Sequence, residues 1–151
     1  MTEVLLRAAM PADIGQLVEL CRLHAEYEGA AYDPAGKADK LSQVLFASPA
    51  VLHCLVAVSG TKLLGYASAT KEFSTWDADY YLHMDCLYLR AEARGLGLGT
   101  QFIHRLQTLV QQLKCSHLQW QTPADNDKAI VFYHQLQARS KDKKRFYLDI
   151  N

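Results

Sequence analysis

The sequence predicts a mixed α/β domain built on a central, mostly antiparallel sheet. The chain contains short segments in which apolar residues alternate or follow one another, which is typical of strands. It also contains longer segments in which apolar residues recur every three or four positions, which is typical of helices. Three strands follow one another without an intervening helix, whereas the later ones alternate with helices. At 151 residues, of which 50% are apolar, the chain has the size of one domain with its own core, so we expect a single domain over residues 1–151.

Six strands are predicted from these short apolar segments. They lie near residues 4–8, 52–58, 63–71, 80–89, 117–121 and 145–150. The segment SGTK, at residues 59–62, has the composition of a hairpin turn and joins the second strand to the third. Since the second, third and fourth strands follow one another directly, we expect them to form an antiparallel meander.

Four helices are predicted from apolar residues spaced three and four positions apart. The first begins with Asp13 as its N-cap, and the fourth follows the turn TPADND. Their apolar stripes are Leu17, Leu20, Cys21 and His24; Leu41, Val44 and Leu45; Phe102, Ile103, Leu106, Leu109, Val110 and Leu113; and Ile130, Phe132, Tyr133 and Leu136. The order is strand, two helices, three strands, helix, strand, helix, strand, and its later part contains a β-α-β unit.

Charge and cysteine content exclude several classes of function. The 16 basic and 16 acidic side chains cancel, so no net field attracts nucleic acid or an anionic membrane. The four cysteines lie far apart without a C-x-x-C pair, which argues against a zinc site or a disulfide framework. The N-terminus lacks the pattern of a signal peptide, and no apolar run reaches the ~18 residues of a membrane span. We expect a cytoplasmic protein without a metal ion, a nucleic-acid partner or a membrane contact.

The segment AEARGLGLGT, at residues 91–100, connects the strand that ends at Leu89 to the helix that contains Phe102. Glycines let the backbone turn sharply and expose peptide N–H groups, and a helix N-terminus adds partial positive charge, so this arrangement suits a phosphate. The segment lacks the lysine of a P-loop, and Thr100 stands where a dinucleotide-binding fingerprint needs glycine. A tight strand-to-helix turn without a ligand is the alternative.

The pattern R-x-x-G-x-G, formed by Arg94, Gly97 and Gly99, resembles the acetyl-CoA-binding loop of the GNAT acetyltransferase superfamily. The segment NDKAIVFY, at residues 126–133, is similar to the family's second landmark, an Asn that starts the next helix and a Tyr two turns later. The segments HAEYEGA, LLGYAS, FSTWDADYYLHMDCLYL and CSHLQWQT resemble the spermidine/spermine N-acetyltransferase branch, with its diamine and thialysine relatives. The resemblance covers residues 4–150 and implies the GNAT fold, acetyl-CoA as cosubstrate and a homodimer.

Two features depart from the pattern of this branch. Gln137 stands where many members end the fourth helix with glycine, and the C-terminal segment ARSKDKKRFYLDI is short. We therefore expect a last hairpin that is abbreviated or unusually tight.

Acetyl transfer from a thioester to an amine needs a base, a donor for the oxyanion and an acid for the departing thiolate. A primary amine has a pKa near ~10 and arrives charged. The resemblance implies that Asp85 removes this proton, directly or through water; the alternative is a structural partner for a nearby cation. Strand alternation places His83 on the same face as Asp85. The resemblance also implies that Tyr133 protonates the thiolate, whereas Phe132, like many aromatics at helical spacing, is assigned to the core.

A cofactor site made mainly of backbone is a further implication of the resemblance. Leu87 and Leu89 would offer main-chain groups to the pantetheine arm and the oxyanion, and Asn126 would both cap its helix and contact the cofactor. Leu96 and Leu98 are expected to anchor the loop. The pyrophosphate would lie against loop N–H groups contributed by Arg94, Gly95, Leu96, Gly97, Leu98, Gly99 and Thr100.

Acidic and aromatic side chains form two candidate acceptor regions. One contains Glu26, Tyr27 and Glu28, and the other contains Trp76 and Asp77. Asp85 is expected to bind the acceptor as well. Carboxylates between aromatic rings suit a cationic amine, although ordinary solvated loops carry the same residues. We expect an acetyl-CoA-dependent N-acetyltransferase, of the EC 2.3.1 type, whose acceptor is a small primary amine such as a polyamine, a diamine or an amino-acid-like compound. The alternatives are a peptide or protein amine as acceptor, and a catalytically weak, dimeric acyl-CoA-binding module.

Overall fold

The computed structural model describes residues 3–150 and divides into two compact units. The first ends at Trp120, and the second begins at Gln121 and contains one helix. The strands are β1 (Val4–Ala8), β2 (His53–Ser59), β3 (Lys62–Ser74), β4 (Asp79–Leu89) and β5 (Leu118–Gln119). The helices are α1 (Ile14–Tyr27), α2 (Lys37–Leu45), α3 (Leu98–Gln112) and, in the second unit, α4 (Asp127–Gln135). The expectation of a single domain over residues 1–151 stays a prediction.

The strands form one sheet in the order β1-β2-β3-β4-β5. Neighbours from β1 to β4 are antiparallel, and β5 pairs with β4 in parallel. Gly60 lies between β2 and β3 at a φ of 62°, a left-handed conformation that a tight hairpin turn requires. The predicted mixed α/β class, the meander and its hairpin turn are therefore confirmed.

An apolar core lies between the sheet and helices α1 and α2. Leu17 and Leu20 of α1 are 2% and 0% exposed, and they belong to one buried cluster with Leu45 of α2 and Val56 of β2. Burying one such side chain contributes about 1.5–3 kcal/mol. This packing fixes α1 against the strands.

Helix α3 packs through the predicted apolar stripe. Phe102 and Leu106 are 0% and 1% exposed, and the helix contacts β4 and β5. Leu98, the first residue of α3, is buried as well. The start of the helix that follows the glycine segment is therefore anchored in the first unit.

Gly65 of β3 lets the end of β4 approach closely. A Cβ at this position would lie 2.5 Å from the carbonyl oxygen of Tyr88 and 2.6 Å from Cδ2 of Leu89. No other residue fits these distances without a backbone shift. The close approach holds the last residues of β4 in place just before the glycine segment.

Asp13 precedes α1 as predicted, but its side chain does not cap the helix. Its oxygens accept from the Arg7 guanidinium at 2.6 and 3.1 Å and from the backbone N–H of Met10 at 2.7 Å. These bonds, of which those from Arg7 weigh most, lower the pKa of Asp13. The N-cap position of Asp13 is therefore confirmed, but its buried carboxylate bonds Arg7 and Met10 and does not cap the first N–H groups of α1.

Helices α1, α3 and α4 end in the same hydrogen-bonded motif, with a left-handed residue after the C-cap. That residue is Gly29 after α1, Lys114 after α3 and Gln137 after α4, at φ values of 73°, 57° and 67°. Around Gln137, its own N–H donates to His134 O at 2.9 Å and the next N–H donates to Tyr133 O at 3.2 Å. Helix α4 therefore ends just before Gln137 as expected, and Gln137 adopts the left-handed conformation that glycine adopts more easily.

The predicted strand over residues 145–150 is wrong, since residues 138–150 form neither helix nor strand. Alternation gives this segment two faces, but a strand also needs backbone hydrogen bonds to a neighbouring strand, and residues 138–150 form no such pairing. Four of its apolar side chains are between 76% and 92% exposed: Phe146, Tyr147, Leu148 and Ile150. The predicted strand over residues 117–121 is present but only two residues long.

Candidate active site

Asp85 occupies a β-bulge in the central strand β4. Met84 pairs with Ala69 and Cys86 pairs with Ser68, so Asp85 is an extra residue without a partner on β3. Because Ala69 and Ser68 are consecutive and face opposite sides of the sheet, the side chains of Met84 and Cys86 face opposite sides too. The Asp85 side chain is 63% exposed, so a ligand can reach its carboxylate.

His83 remains beside Asp85, as strand alternation predicts. His83 Nε2 lies 4.0 Å from Asp85 Oδ1. Asp85 is itself the bulge residue, so the contact depends on the local bend as well as on alternation. An exposed pair at this distance contributes little to stability.

A cavity of about 80 Å³ lies next to Asp85 on the side of the sheet that faces α1 and α2. It is lined by Leu17, Leu41 and Leu52, by the thiols of Cys21, Cys54 and Cys86, and by Tyr66, Ser68 and Asp85. This volume suits a short aliphatic group or a few water molecules. Asp85 is the one carboxylate in the lining.

The thiols in this cavity are held in the protonated form. Burial raises the pKa of Cys54 and of Cys86 to about 12, and the nearby charge of Asp85 adds to the effect on Cys86. Burial also raises the pKa of Cys21. Because the thiolate is the reactive form of cysteine, these side chains are unsuited to carry an acyl group.

His24 connects the end of α1 to the sheet beside this cavity. Its Nδ1 lies 2.9 Å from the hydroxyl of Tyr66, and its Nε2 lies 3.7 Å from Glu28 Oε2. Burial lowers the pKa of His24, and the charges of Glu28 and Asp85 oppose this effect. The sequence predicted His24 as part of an apolar stripe and did not single out Tyr66. The spacing of His24 and Glu28, four residues apart on one helix, was the available signal for their contact.

The main chain of β4 is open on one side after His83. In the described part of the chain, β5 pairs with β4 at Leu82 and His83 alone. The N–H of Leu82 donates to His117 O at 3.0 Å and so points away from β3. Given the register of β3 and β4 on both sides of the bulge, the N–H groups of Leu87 and Leu89 point away from β3, as the N–H of Leu82 does. Their main-chain groups therefore face the open side of β4.

The glycine segment forms a bare turn into α3. Gly95 and Gly97 have φ values of 78° and 79°, and Gly97 is the N-cap of the helix. The first intrahelical bond of the turn runs from Gln101 N to Gly97 O, so the preceding N–H groups of α3 have no acceptor within the helix. These are the N–H groups of Leu98, Gly99 and Thr100, which can bind an anion.

The two leucines of the segment differ in their packing. Leu98 is 3% exposed, whereas Leu96 is 60% exposed. The expectation that both anchor the loop is therefore right for Leu98 and wrong for Leu96. Leu96 lies between two glycines in left-handed conformations, which carry the chain away from the core there.

The two arginines around this turn bind protein groups. Arg90 Nε donates to Leu63 O at 2.8 Å, and Arg94 Nε donates to Leu89 O at 3.0 Å. The guanidinium carbon of Arg94 lies 4.6 Å from the ring centroid of Tyr27. Tyr27, predicted to bind the acceptor, therefore contacts the loop predicted to bind the cofactor.

The predicted acceptor residues are not all close together. Glu26 pairs with Arg22 at 3.0 Å, and Glu28 lies beside His24. Trp76 and Asp77 lie in the turn between β3 and β4, where Trp76 is 90% exposed. Asp85 comes six positions after Asp79 along β4, which corresponds to ~20 Å in an extended strand. The first unit thus groups Tyr27 and Glu28 near the site but leaves Trp76 and Asp77 at the far end of a hairpin.

The second unit contains the two remaining candidates. The Asn126 side chain accepts from Ala129 N at 3.4 Å and donates to Thr122 Oγ1 at 3.3 Å, which confirms it as the N-cap of α4. Tyr133 is half-buried on α4, with its ring 5.3 Å from that of Phe132. The assignment of Phe132 to the core is wrong, because no residue of α4 is fully buried and Phe132 is half-buried.

The described residues contain neither a metal-binding cluster nor a membrane-spanning helix. Among residues 3–150, no group of three His, Cys, Asp or Glu side chains is placed to hold a metal ion. None of the described helices combines the length and the apolar character needed to cross a bilayer.

The bulge at Asp85 and the glycine turn into α3 both lie within the part of the chain that matches a known protein family. The chain matches the Acetyltransferase (GNAT) family over residues 17–137 and belongs to that family. It is therefore an acetyl-transfer enzyme, and the resemblance predicted from its motifs is confirmed.

The curated relatives point to one branch of the family. The chain is 28% identical to the thialysine N-epsilon-acetyltransferase of Sus scrofa over 147 residues, which cover 92% of this chain and 86% of the relative. It is also 28% identical to the thialysine N-epsilon-acetyltransferase of Caenorhabditis elegans over 123 residues, which cover 82% of this chain and 75% of the relative.

Solved structures share the fold over nearly the whole chain. An integron cassette protein from the mobile metagenome of V. cholerae has a TM-score of 0.79 at 25% identity and covers 100% of this chain and 94% of its own. An aminoglycoside acetyltransferase from an uncultured soil metagenomic sample has a TM-score of 0.83 at 14% identity, and the match covers 98% of this chain and 97% of that structure's chain. The latter likeness shows the fold alone.

Proposed function

We propose that the protein transfers acetyl from acetyl-CoA to a small primary amine without a covalent enzyme intermediate. The observation that carries this proposal is Asp85, exposed in a β-bulge next to a cavity of about 80 Å³. A carboxylate in this position attracts an ammonium group and can then take its proton. The cavity admits the aliphatic part of a small amine rather than a folded protein surface. The relatives named thialysine N-epsilon-acetyltransferase support such an acceptor.

The donor side is proposed to use the open edge of β4 and the glycine turn. The main-chain groups of Leu87 and Leu89 bind the pantetheine arm and the oxyanion. The N–H groups from Arg94 to Thr100 bind the pyrophosphate, and the N-terminal partial charge of α3 adds to this attraction. Asn126 contributes a cofactor contact in addition to its cap.

The chemical step follows from these roles. Asp85 removes a proton from the ammonium, directly or through water, and the neutral nitrogen attacks the thioester carbon. A carbon–nitrogen bond forms, the nitrogen loses its second proton to solvent, the carbon–sulfur bond breaks, and the electron pair leaves with sulfur; Asp85 releases the proton it took to solvent. Tyr133 gives its hydroxyl proton to the thiolate and regains one from solvent. The raised pKa of the cavity thiols, about 12 for Cys54 and Cys86, supports direct transfer rather than an acetyl-cysteine.

A panel of acceptors tests this function. Release of free CoA thiol from acetyl-CoA is measured with polyamines, diamines, lysine-like amino acids and lysine-containing peptides, and a reaction without acceptor corrects for hydrolysis. We expect the highest kcat/KM for a small primary amine. Preference for a peptide would favour the peptide acceptor, and binding of acetyl-CoA without turnover would favour the binding module.

The glycine turn provides a matched pair of variants. Gly97 and Gly36 are the N-caps of α3 and α2, at φ values of 79° and 74°, and a Cβ at either would meet nothing within 4 Å. Valine is strained in this conformation by about 1–2 kcal/mol at both positions. We expect Gly97→Val and Gly36→Val to lose similar stability, but Gly97→Val alone to lose acetyl-CoA binding, because its side chain occupies the anion site.

Thermal unfolding and titration calorimetry measure the two quantities. Calorimetry at a temperature where both variants are folded separates binding from stability. Equal acetyl-CoA affinity in folded Gly97→Val and Gly36→Val would contradict the assignment of the turn to the pyrophosphate.

The assembly and the compartment belong to the proposal as well. We place the enzyme in the cytoplasm as a homodimer, and its four free cysteines support a reducing compartment. The exposed apolar side chains of residues 146–150 support a surface that a second copy covers. Light scattering of the pure protein measures its mass in solution, and the mass of a single chain at micromolar concentration would exclude the homodimer.

A further inference from the structure

The Arg94 guanidinium lies between α1 and β4. Its Nε donates to Leu89 O at 3.0 Å, and its central carbon lies 4.6 Å from the ring centroid of Tyr27 and 5.5 Å from that of Tyr88. A guanidinium at these distances is attracted by the faces of both rings. Tyr27, Tyr88 and Arg94 are called the aromatic clamp below.

The clamp is attached to the buried core. Tyr27 and Tyr88 meet edge to face at 6.3 Å, and Tyr88 stacks on His24 at 5.1 Å. His24 in turn bonds the hydroxyl of Tyr66, which is 3% exposed. Tyr88 and Tyr66 are buried, so the clamp is supported by residues that cannot move without disturbing the core.

The turn that follows Arg94 has few side-chain contacts of its own. A Cβ at Gly95 or Gly97 would meet nothing within 4 Å, and Leu96 is mostly exposed. Between Arg94 and the buried Leu98, the position of the backbone depends on its two ends. Arg94 is therefore the point at which the beginning of the turn is held.

We propose that Tyr27 is a positioning residue for the donor site, which orders the turn from Arg94 to Gly97 through the aromatic clamp. This inference rests on the proposed binding of acetyl-CoA at that turn. Ordering the turn before binding reduces the conformational entropy that acetyl-CoA binding costs, so loss of the clamp weakens acetyl-CoA affinity. Tyr27 belongs to α1, next to Glu28, so the clamp joins the acceptor-side helix to the donor loop.

The test compares Tyr27→Leu with Tyr27→Phe and with Tyr32→Leu. Phe keeps an aromatic face for Arg94, whereas Leu removes it. Lys37 Nζ lies 3.6 Å from the centroid of the Tyr32 ring. Tyr32→Leu therefore removes an aromatic ring that faces a cation, as Tyr27→Leu does, but at a position outside the clamp. Tyr27 is 57% exposed, so its replacement leaves the core in place. The dissociation constant of acetyl-CoA is measured by calorimetry, and hydrogen exchange of the amides at residues 94–97 is measured without any ligand.

We expect Tyr27→Leu to raise the acetyl-CoA dissociation constant by about three- to tenfold and to speed exchange in the turn. Tyr27→Phe and Tyr32→Leu keep the parent values, and KM for the amine is unchanged in Tyr27→Leu. Unchanged exchange and unchanged acetyl-CoA affinity in Tyr27→Leu would overturn the inference, as would a rise confined to the amine KM, which marks Tyr27 as an acceptor contact. Failure of the parent to bind acetyl-CoA would instead refute the proposed function, and exchange in the turn would still report whether the clamp orders it.

Discussion

Replacement of Tyr133 by Phe lowers kcat by about 100-fold or more, in the range that general acid catalysis contributes. The substitution removes the hydroxyl and keeps the ring, which contacts Phe132 on α4. Acetyl-CoA affinity and the melting temperature stay close to the parent values, because a half-buried ring retains its packing. A folded, cofactor-competent but slow variant separates proton transfer from binding.

The measurement is single-turnover kinetics at saturating acetyl-CoA, so that chemistry limits the rate. Tyr32→Phe, which also removes one phenolic hydroxyl, is the matched control and keeps the parent rate. If Tyr133→Phe reacts as fast as the parent under these conditions, another group or solvent protonates the thiolate, and Tyr133 has a packing role.

Replacement of Asp85 by Asn lowers kcat/KM at neutral pH by about 100-fold, because an amide cannot accept the ammonium proton. Below a pKa near ~10, the neutral fraction of the amine rises about tenfold with each pH unit. The rate of Asp85→Asn therefore increases with pH over this range more steeply than the parent rate, and the two converge in alkali. Acetyl-CoA affinity is unchanged, since Asp85 is assigned to the acceptor.

The pH–rate profiles of the parent and of Asp85→Asn supply this test. Asp39→Asn, in the first turn of α2, removes one carboxylate away from the site and keeps the parent profile. Parallel profiles for Asp85→Asn and the parent, displaced or not, would remove Asp85 from the proton transfer.

The sequence predicts β4 well, but not its bulge. Leu82, Met84, Cys86 and Tyr88 continue an unbroken alternation in the sequence. In the structure the register shifts between Met84 and Cys86, so the first two face one side of the sheet and the last two face the other. A bulge is set by how β3 and β4 fit together, and alternation within one strand does not contain that information. The sequence therefore predicted Asp85 as a candidate base but did not predict that it forms a bulge, which exposes its side chain.

Contacts between distant segments were equally hard to predict. The glycines identified the turn before α3, and Arg94 was predicted to contribute an N–H group to the pyrophosphate site. The structure places its guanidinium against Tyr27 and Tyr88, a contact that depends on how α1 packs on the sheet. The C-terminal segment shows the opposite error, because its alternation predicts a strand although residues 138–150 pair with no strand.

The most direct test of the account is mass spectrometry of both products and protein in one reaction. The enzyme is incubated with acetyl-CoA, first alone and then with the amine that gives the highest kcat/KM. The account predicts a protein of unchanged mass in both samples and an amine heavier by one acetyl group in the second. A protein that gains an acetyl group on incubation with acetyl-CoA alone and passes it to the amine afterwards would contradict direct transfer, and an unmodified amine across the whole panel would contradict the proposed function.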